Sequence, residues 1–293
     1  MTANCVLILG AQGQLGIELQ KAFKSAGEVV ALGRESCDLA NPETIRRAIA
    51  EVNPAIVLNA AAYTAVDRAE SEPDLAMRVN GEAPGVLAEE ARKIETLLVH
   101  YSTDYVFDGL KQGPWVEEDP VNPLNEYGRT KLAGERNIAE VGGRYLIFRT
   151  SWVYSPHGNN FLKTMLRLGR ERDQLRVVND QIGAPTTAAA LARATRKVID
   201  SGFTDGDSGV YHMTCASQAS WCGFAQEIFR RAQAPEGKSW PVVTGIPDTE
   251  YPTPAKRPKN SVLSNAKLQT RFGVALPKWE DALGETLTEM GAD

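Results

Sequence analysis

Tyr127 and Lys131 stand four residues apart in Tyr127-Gly128-Arg129-Thr130-Lys131, within a stretch whose spacing predicts a helix over Leu124–Val141. On a helix that spacing puts the two side chains on one face. A lysine ammonium beside a phenol favours the phenolate and draws its pKa down from about 10 towards the working range. Such a phenol can hand its proton to a carbonyl oxygen while a hydride arrives at the carbon. A tyrosine and a lysine sharing a solvated helix face would look the same, so the pair needs support from elsewhere in the chain.

That support begins at Gly10, Gly13 and Gly16, a Gly-x-x-Gly-x-x-Gly run between an apolar stretch (Cys5–Leu9) and an amphipathic one (Gly16–Ala26). Glycines at a strand-to-helix junction let the backbone approach a pyrophosphate, and the helix N-terminus offers free N–H groups and partial positive charge. Gln12, Gln14 and Leu15 lie within this loop and are expected at the dinucleotide with the glycines. The strand Glu28–Leu32 is followed by Gly33-Arg34, where many NAD-selective enzymes carry a carboxylate for the ribose 2′-hydroxyl. Arg34 offers a planar fork of donors suited to a 2′-phosphate. NADPH is therefore expected over NADH, with NADH as the alternative. Asp38 and Leu39 are expected to flank the adenine. The run Ala60-Ala61-Ala62-Tyr63 follows the strand Ala55–Asn59, and its small side chains suit either a cofactor ribose or tight helix–sheet packing.

The elements that must position these residues alternate. Short β-branched runs at Cys5–Leu9, Glu28–Leu32, Ala55–Asn59, Thr96–Tyr101 and Tyr145–Arg149 alternate with helical stretches, among them one opened by Asn41-Pro42 and one over Asp74–Ile94. Strands apolar on both faces and separated by helices describe a parallel sheet covered on two sides. The expected fold is α/β, a Rossmann-type doubly wound parallel sheet with a smaller C-terminal α/β substrate lobe. Residues 1–155 plus about 187–214 would form the NAD(P)-binding domain. About 156–186 and 215–293 would form the second lobe, with Val210–Thr214 returning to the main sheet. Every chemically suggestive residue follows a strand end, where such sheets bind ligands.

Composition excludes other classes. The formal charge of −5 gives no global attraction for nucleic acid or an anionic membrane, and no stretch reaches the roughly 20 apolar residues of a span. Cys5, Cys37, Cys215 and Cys222 form no Cys-x-x-Cys pair and no dense framework, so reduced structural thiols and a cytoplasmic location are expected. His100, His157 and His212 are scattered without metal-site spacing.

These residues, with Asn59-Ala60-Ala61-Ala62-Tyr63-Thr64-Ala65-Val66-Asp67, Ser102-Thr103-Asp104-Tyr105-Val106-Phe107-Asp108-Gly109, Phe148-Arg149-Thr150-Ser151-Trp152-Val153-Tyr154, Asp180-Gln181-Ile182-Gly183-Ala184-Pro185-Thr186 and Arg257-Pro258-Lys259-Asn260-Ser261, carry a resemblance. Over nearly its whole length the chain resembles the dTDP-4-dehydrorhamnose reductases, a family of extended short-chain dehydrogenase/reductases. The resemblance implies reduction of the C4 keto group of dTDP-4-dehydro-β-L-rhamnose to dTDP-β-L-rhamnose by NADPH or NADH. It implies Tyr127 as proton donor, Lys131 as its tuner and ribose ligand, and Thr103 as the hydroxyl partner, with Ser102 as the alternative. Tyr101 joins the cofactor set. Thr103, Asp104, Trp152 and Arg257 would meet the sugar nucleotide, and Asn80 would support Lys131 through water. An indole at a strand end offers a sugar an apolar face, though a core tryptophan is the plain alternative.

The basic cluster Lys256, Arg257, Lys259 suits a diphosphate or a merely solvated surface. Some relatives hold Mg2+ at a dimer interface through glutamates. Glu18 and Glu289 occupy two such positions, but the third falls in Ala188-Ala189-Ala190, which argues against a metal-bridged dimer and leaves monomer or homodimer open. Competing readings are a sugar-nucleotide epimerase or dehydratase of the same superfamily, or a non-catalytic NADP-binding regulatory subunit. The Tyr105-Val106-Phe107 that follows Asp104, and the intact Tyr127, Lys131, Thr103 and Trp152, favour a reductase.

Overall fold

The structure is a computed structural model that describes residues 5–234, 236–237 and 239–292; residues 1–4 and 293 of the two expected lobes lie outside these. Its strands are β1 (Val6–Leu9), β2 (Val29–Leu32), β3 (Ile56–Asn59), β4 (Leu97–Thr103), β5 (Tyr145–Thr150), β6 (Val153–Tyr154), β7 (Gln174–Val178), β8 (Ile182–Gly183), β9 (Thr186–Thr187), β10 (Gly209–His212), β11 (Ala219–Ser220) and β12 (Val242–Ile246). The α-helices are α1 (Gln14–Phe23), α2 (Pro42–Val52), α3 (Val66–Ala69), α4 (Pro73–Met77), α5 (Ala83–Lys93), α6 (Glu126–Val141), α7 (Phe161–Glu171), α8 (Ala188–Asp200), α9 (Trp221–Arg231), α10 (Ala266–Phe272) and α11 (Trp279–Glu289).

Six strands form one parallel sheet in the order β10-β5-β4-β3-β1-β2. The inner strands β1, β3, β4 and β5 are largely buried on both faces, as their apolar runs require, while the edge strand β2 is half-buried. On one face Leu15, Leu19 and Phe23 of α1 pack with Leu191, Ala194 and Val198 of α8; on the other, Ile45 and Ile49 of α2 join Leu87 of α5 and Ile138 of α6. The doubly wound sheet is thus as expected, and β10 does return beside β5. The chain reverses its winding direction between β1 and β3, which places a ligand crevice at their carboxyl ends. β7 pairs with the unforeseen β12 in a separate two-stranded parallel sheet.

Local chemistry sets the helix starts. The Asn41 side chain accepts from Glu43 N at 3.1 Å, and Pro42 fills the first turn of α2. The Asn125 Oδ1 caps α6 by accepting from Gly128 N at 2.8 Å. The helical stretch expected over 74–94 is broken by a π-helical segment, Arg78–Glu82, between α4 and α5. Two glycines let α6 sit close to its neighbours: a Cβ on Gly128 would lie 2.2 Å from the Tyr105 carbonyl oxygen, and one on Gly134 would lie 2.1 Å from that of Asn80.

Gly134→Ala therefore runs against its own helix propensity. In an open helix it would stabilise, but here the methyl meets backbone, and overpacking of this kind costs about 1–3 kcal/mol. Urea denaturation should show a lower midpoint for the variant; an unchanged or raised midpoint would show that α6 can move away from Asn80 at no cost.

Candidate active site

At the carboxyl edge of the sheet lies a cavity of about 870 Å³. It is lined by Gly10, Gln12, Gly13, Gln14 and Leu15 from the glycine loop, by Arg34, Asp38 and Leu39 after β2, and by Ala60, Ala61, Ala62 and Tyr63 after β3. Tyr101, Thr103, Asp104, Tyr127, Lys131 and Trp152 line it too. Nearly every residue singled out in the sequence reaches this one space.

The glycine loop is built by close approach. Gly10 has φ +84°, and a Cβ there would stand 2.8 Å from Ala61 N, so the turn presses against the alanine run at the point where the sheet reverses. Gly16 is off the wall: it supports the turn from beneath, where a Cβ would lie 2.0 Å from the Gly10 carbonyl oxygen. Gln14 Oε1 accepts from Ser155 Oγ (3.1 Å) and Asn160 Nδ2 (2.8 Å), joining the loop to the segment after β6. The Arg34 side chain is 77% exposed and only 3.7 Å from Asp38 at its nearest, so its guanidinium is free to meet an anion. Cys37, Leu75 and Val79 add apolar wall, and no motif in the sequence marks them. A turn that excludes side chains, an open helix N-terminus and an available arginine fit a dinucleotide phosphate.

On the opposite wall, Thr103 Oγ1 donates to Asp104 Oδ1 (3.0 Å) and accepts from Tyr105 N (3.2 Å). Ser102, the alternative partner, donates to Glu135 at 2.5 Å, whereas the Thr103 hydroxyl stands beside the Tyr127 phenol. Tyr105 packs edge-on against the Tyr127 ring, centroids 5.6 Å apart. Burial pushes the Tyr127 phenol up to about 12, against the pull of the Thr103 hydroxyl beside it. This reverses the expected lowering by Lys131. The lysine, 1% exposed, instead donates from Nζ to the Tyr101 carbonyl oxygen at 2.6 Å and lies 3.1 Å from His100 Nε2. Burial lowers the Lys131 ammonium to about 8, with Glu135 opposing. Burial also raises the Asp104 carboxyl to about 6, against its hydrogen bonds to Ser261 and Thr103.

The direct partners of the Asn80 side chain are Tyr63 and Thr130. Its Oδ1 accepts from Tyr63 N (2.8 Å), while its Nδ2 donates to Tyr63 O (2.9 Å) and Thr130 Oγ1 (3.3 Å), so it braces the alanine run. Trp152 holds a left-handed backbone, φ +49°, and its ring stacks on Trp221 at 3.6 Å and 7°. Gly183 covers the other side, where a Cβ would be 2.5 Å from Cε2. Trp221 also lines the cavity, and no motif flagged it.

Arg257 is not on the cavity wall. Its Nη2 donates to Asp67 Oδ2 at 2.9 Å, and Lys259 Nζ to Asp180 at 3.2 Å, so two of the three basic residues spend their charge on partners within the chain. Glu18 and Glu289 do come together, with His157. However, Lys21 Nζ donates to Glu18 Oε1 at 2.9 Å and Glu289 Oε1 at 2.8 Å. Two carboxylates already bridged by an ammonium, one imidazole and no third carboxylate do not fit magnesium, which wants an octahedron of oxygens.

Among the described residues, Cys5, Cys37, Cys215 and Cys222 are free and buried, and no helix is long and apolar enough to cross a membrane.

Comparison with known proteins shows the family. Residues 4–292 match the family model described as the RmlD substrate binding domain. The chain is 50% identical to a dTDP-4-dehydrorhamnose reductase of Burkholderia thailandensis, covering 95% of this chain and 96% of that one. It superposes with a TM-score of 0.91 on a dTDP-4-dehydrorhamnose reductase of Clostridium acetobutylicum, 42% identical over 98% of this chain and 99% of that one. A Bacillus anthracis dTDP-4-dehydrorhamnose reductase in complex with NADP gives a TM-score of 0.90 at 36% identity, covering 98% and 99%. The chain belongs to the dTDP-4-dehydrorhamnose reductase family.

Proposed function

We propose that this chain catalyses NADPH-dependent reduction of the C4 keto group of dTDP-4-dehydro-β-L-rhamnose, giving dTDP-β-L-rhamnose. The observation that carries the reading is the convergence of the glycine loop, the Thr103 hydroxyl and the Tyr127 phenol on one cavity in a chain of this family. When bound, NADPH supplies the hydride. Gly10, Gly13 and the start of α1 would hold its pyrophosphate, and Arg34 its 2′-phosphate. Tyr127 gives its proton to the C4 oxygen. A phenol pushed up to about 12 is fully protonated at neutral pH, so the proton to be transferred is in place. Thr103, its hydroxyl turned from Asp104, donates to the same oxygen and fixes its position. Lys131 steadies the phenolate left behind and holds the nicotinamide ribose.

Residues 1–155 with about 187–214 hold the dinucleotide on this reading, and about 156–186 with 215–293 hold the sugar nucleotide. Trp221 and Asn160 on the cavity wall support the second assignment. Trp152 meets the sugar at its rim, and Asp104 accepts from a sugar hydroxyl. Arg257 reaches the diphosphate only by leaving Asp67.

Purified protein should oxidise NADPH rapidly with dTDP-4-dehydro-6-deoxy-glucose when a 3,5-epimerase supplies the L-configured keto sugar, and slowly without it. Equal rates in the two cases would sink the substrate assignment. Tyr127→Phe should lower turnover by about 10²-fold or more, the range for losing a positioned general acid, with NADPH affinity retained. Near-normal turnover would mean that another group delivers the proton. Arg34→Ala should weaken NADPH by about 1.5–3 kcal/mol, the value of a hydrogen bond to a charged group, and leave NADH unchanged. Parallel losses for both cofactors would rule out a 2′-phosphate contact.

A further inference from the structure

Behind Lys131 lies a buried polar chain that the reaction scheme does not use. His100, 1% exposed, has its Nε2 3.1 Å from Lys131 Nζ and its Nδ1 3.0 Å from Asn59 Nδ2. Asn59, equally buried, accepts on Oδ1 from Ala61 N at 3.3 Å. The Ala61 N–H decides the orientation of the amide, because a backbone donor must face the oxygen. The Asn59 amide nitrogen therefore faces the imidazole, and Nδ1 must accept from it. A neutral imidazole has one proton, so it sits on Nε2 and points at Lys131. His100 is neutral, since burial first and Lys131 second drive its pKa well below 6.5.

An ammonium at Lys131 would set two donors against each other across 3.1 Å. An amine would instead give its N–H to the Tyr101 carbonyl and accept the His100 proton on its lone pair. The charged and titratable groups around this pair are few. They are Tyr127 and Glu135 from α6, and Arg149 from β5, whose charge is taken up by Glu135 at 2.7 Å. β4 contributes His100 itself, and β3 only the uncharged Asn59.

We propose that His100 and Asn59 are positioning residues that hold Lys131 as an uncharged amine near neutral pH until the cofactor binds. The inference rests on the reading of Lys131 as the ribose-binding partner of Tyr127. Burial already lowers the lysine to about 8, and a donor aimed at the lone pair continues in that direction. Charging Lys131 adds one proton from solvent. It also requires either that Nζ leave His100 or that the imidazole proton move to Nδ1 and the Asn59 amide turn over. The second route releases Ala61 N–H, on the stretch that faces the cofactor. The charge of the catalytic lysine is in this way tied to the shape of the cofactor wall.

Nitrogen-15 NMR of the full chain labelled at histidine tests this directly, with His100 identified among three histidines by the signals lost in His100→Gln. Without cofactor at neutral pH, His100 should show the Nε2–H tautomer. The Nδ1–H tautomer would overturn the proposal, and neither result depends on which sugar the enzyme reduces.

Asn59→Asp keeps an acceptor for Ala61 N–H and places a second one at Nδ1, which selects the other tautomer. The pH above which NADPH affinity falls should then rise by roughly one unit or more, the equivalent of losing one hydrogen bond to the amine. At acid pH the variant should bind like wild type. An unmoved limb in a folded variant would also overturn the proposal. Should the variant not fold, the wild-type tautomer still decides.

Discussion

A single carboxylate fixes the geometry of the reactive wall. Glu135 is buried where α6 crosses β4 and β5; it accepts from Ser102 Oγ at 2.5 Å and from Arg149 Nε and Nη2 at 3.0 and 2.7 Å. Ser102 immediately precedes Thr103, and Glu135 stands four and eight residues after Lys131 and Tyr127 on the inward side of α6. One buried ion pair therefore sets the register between the helix carrying the acid and the strand carrying its hydroxyl partner. Such a pair adds little stability over an apolar replacement, but removing one partner leaves an uncompensated charge and costs about 3–5 kcal/mol. Its value here is geometric. The Arg149 guanidinium also lies 5.1 Å from the Phe107 ring, which extends the same anchor beneath the turn after Thr103.

The remaining walls are tied to this centre by contacts between distant segments. Asn125 caps α6 with one side-chain atom and donates from the other to Lys256 O at 2.7 Å, fastening the Pro-rich loop to the start of the catalytic helix. Arg257 on that loop grips Asp67 of α3. On the other side, Lys21 bridges α1 to the last turn of α11 through Glu289. Each link joins elements more than a hundred residues apart, so the cavity exists only in the completed fold.

This pattern explains what could be read from the chain and what could not. Tyr127 and Lys131 were legible because helical spacing is a local property, and the glycine run because a strand-to-helix junction is one too. His100, Asn59 and Glu135 act through partners on other strands, and a buried polar residue carries no periodicity that announces its contact. Asn80 lies in the π-helical segment Arg78–Glu82, and no local pattern announces that its side chain braces Tyr63. β12 was hidden because its partner β7 lies some seventy residues upstream, and Val242 and Thr244 point to solvent. The helix carrying Trp221 starts at that residue because Ser220 caps it by accepting from Gly223 N at 2.9 Å.

The Trp152–Trp221 stack has an optical consequence. Two indoles with centroids 3.6 Å apart and planes within 7° couple their excited states, and they form part of the wall of the cavity. Of the five tryptophans, these two alone line it. One belongs to the strand end beside the reacting centre and the other to the first turn of α9, so any shift between those elements alters the overlap of the rings. The chain thus carries its own chromophore pair on the wall of the cavity, a spectroscopic gauge of that wall that needs no added label.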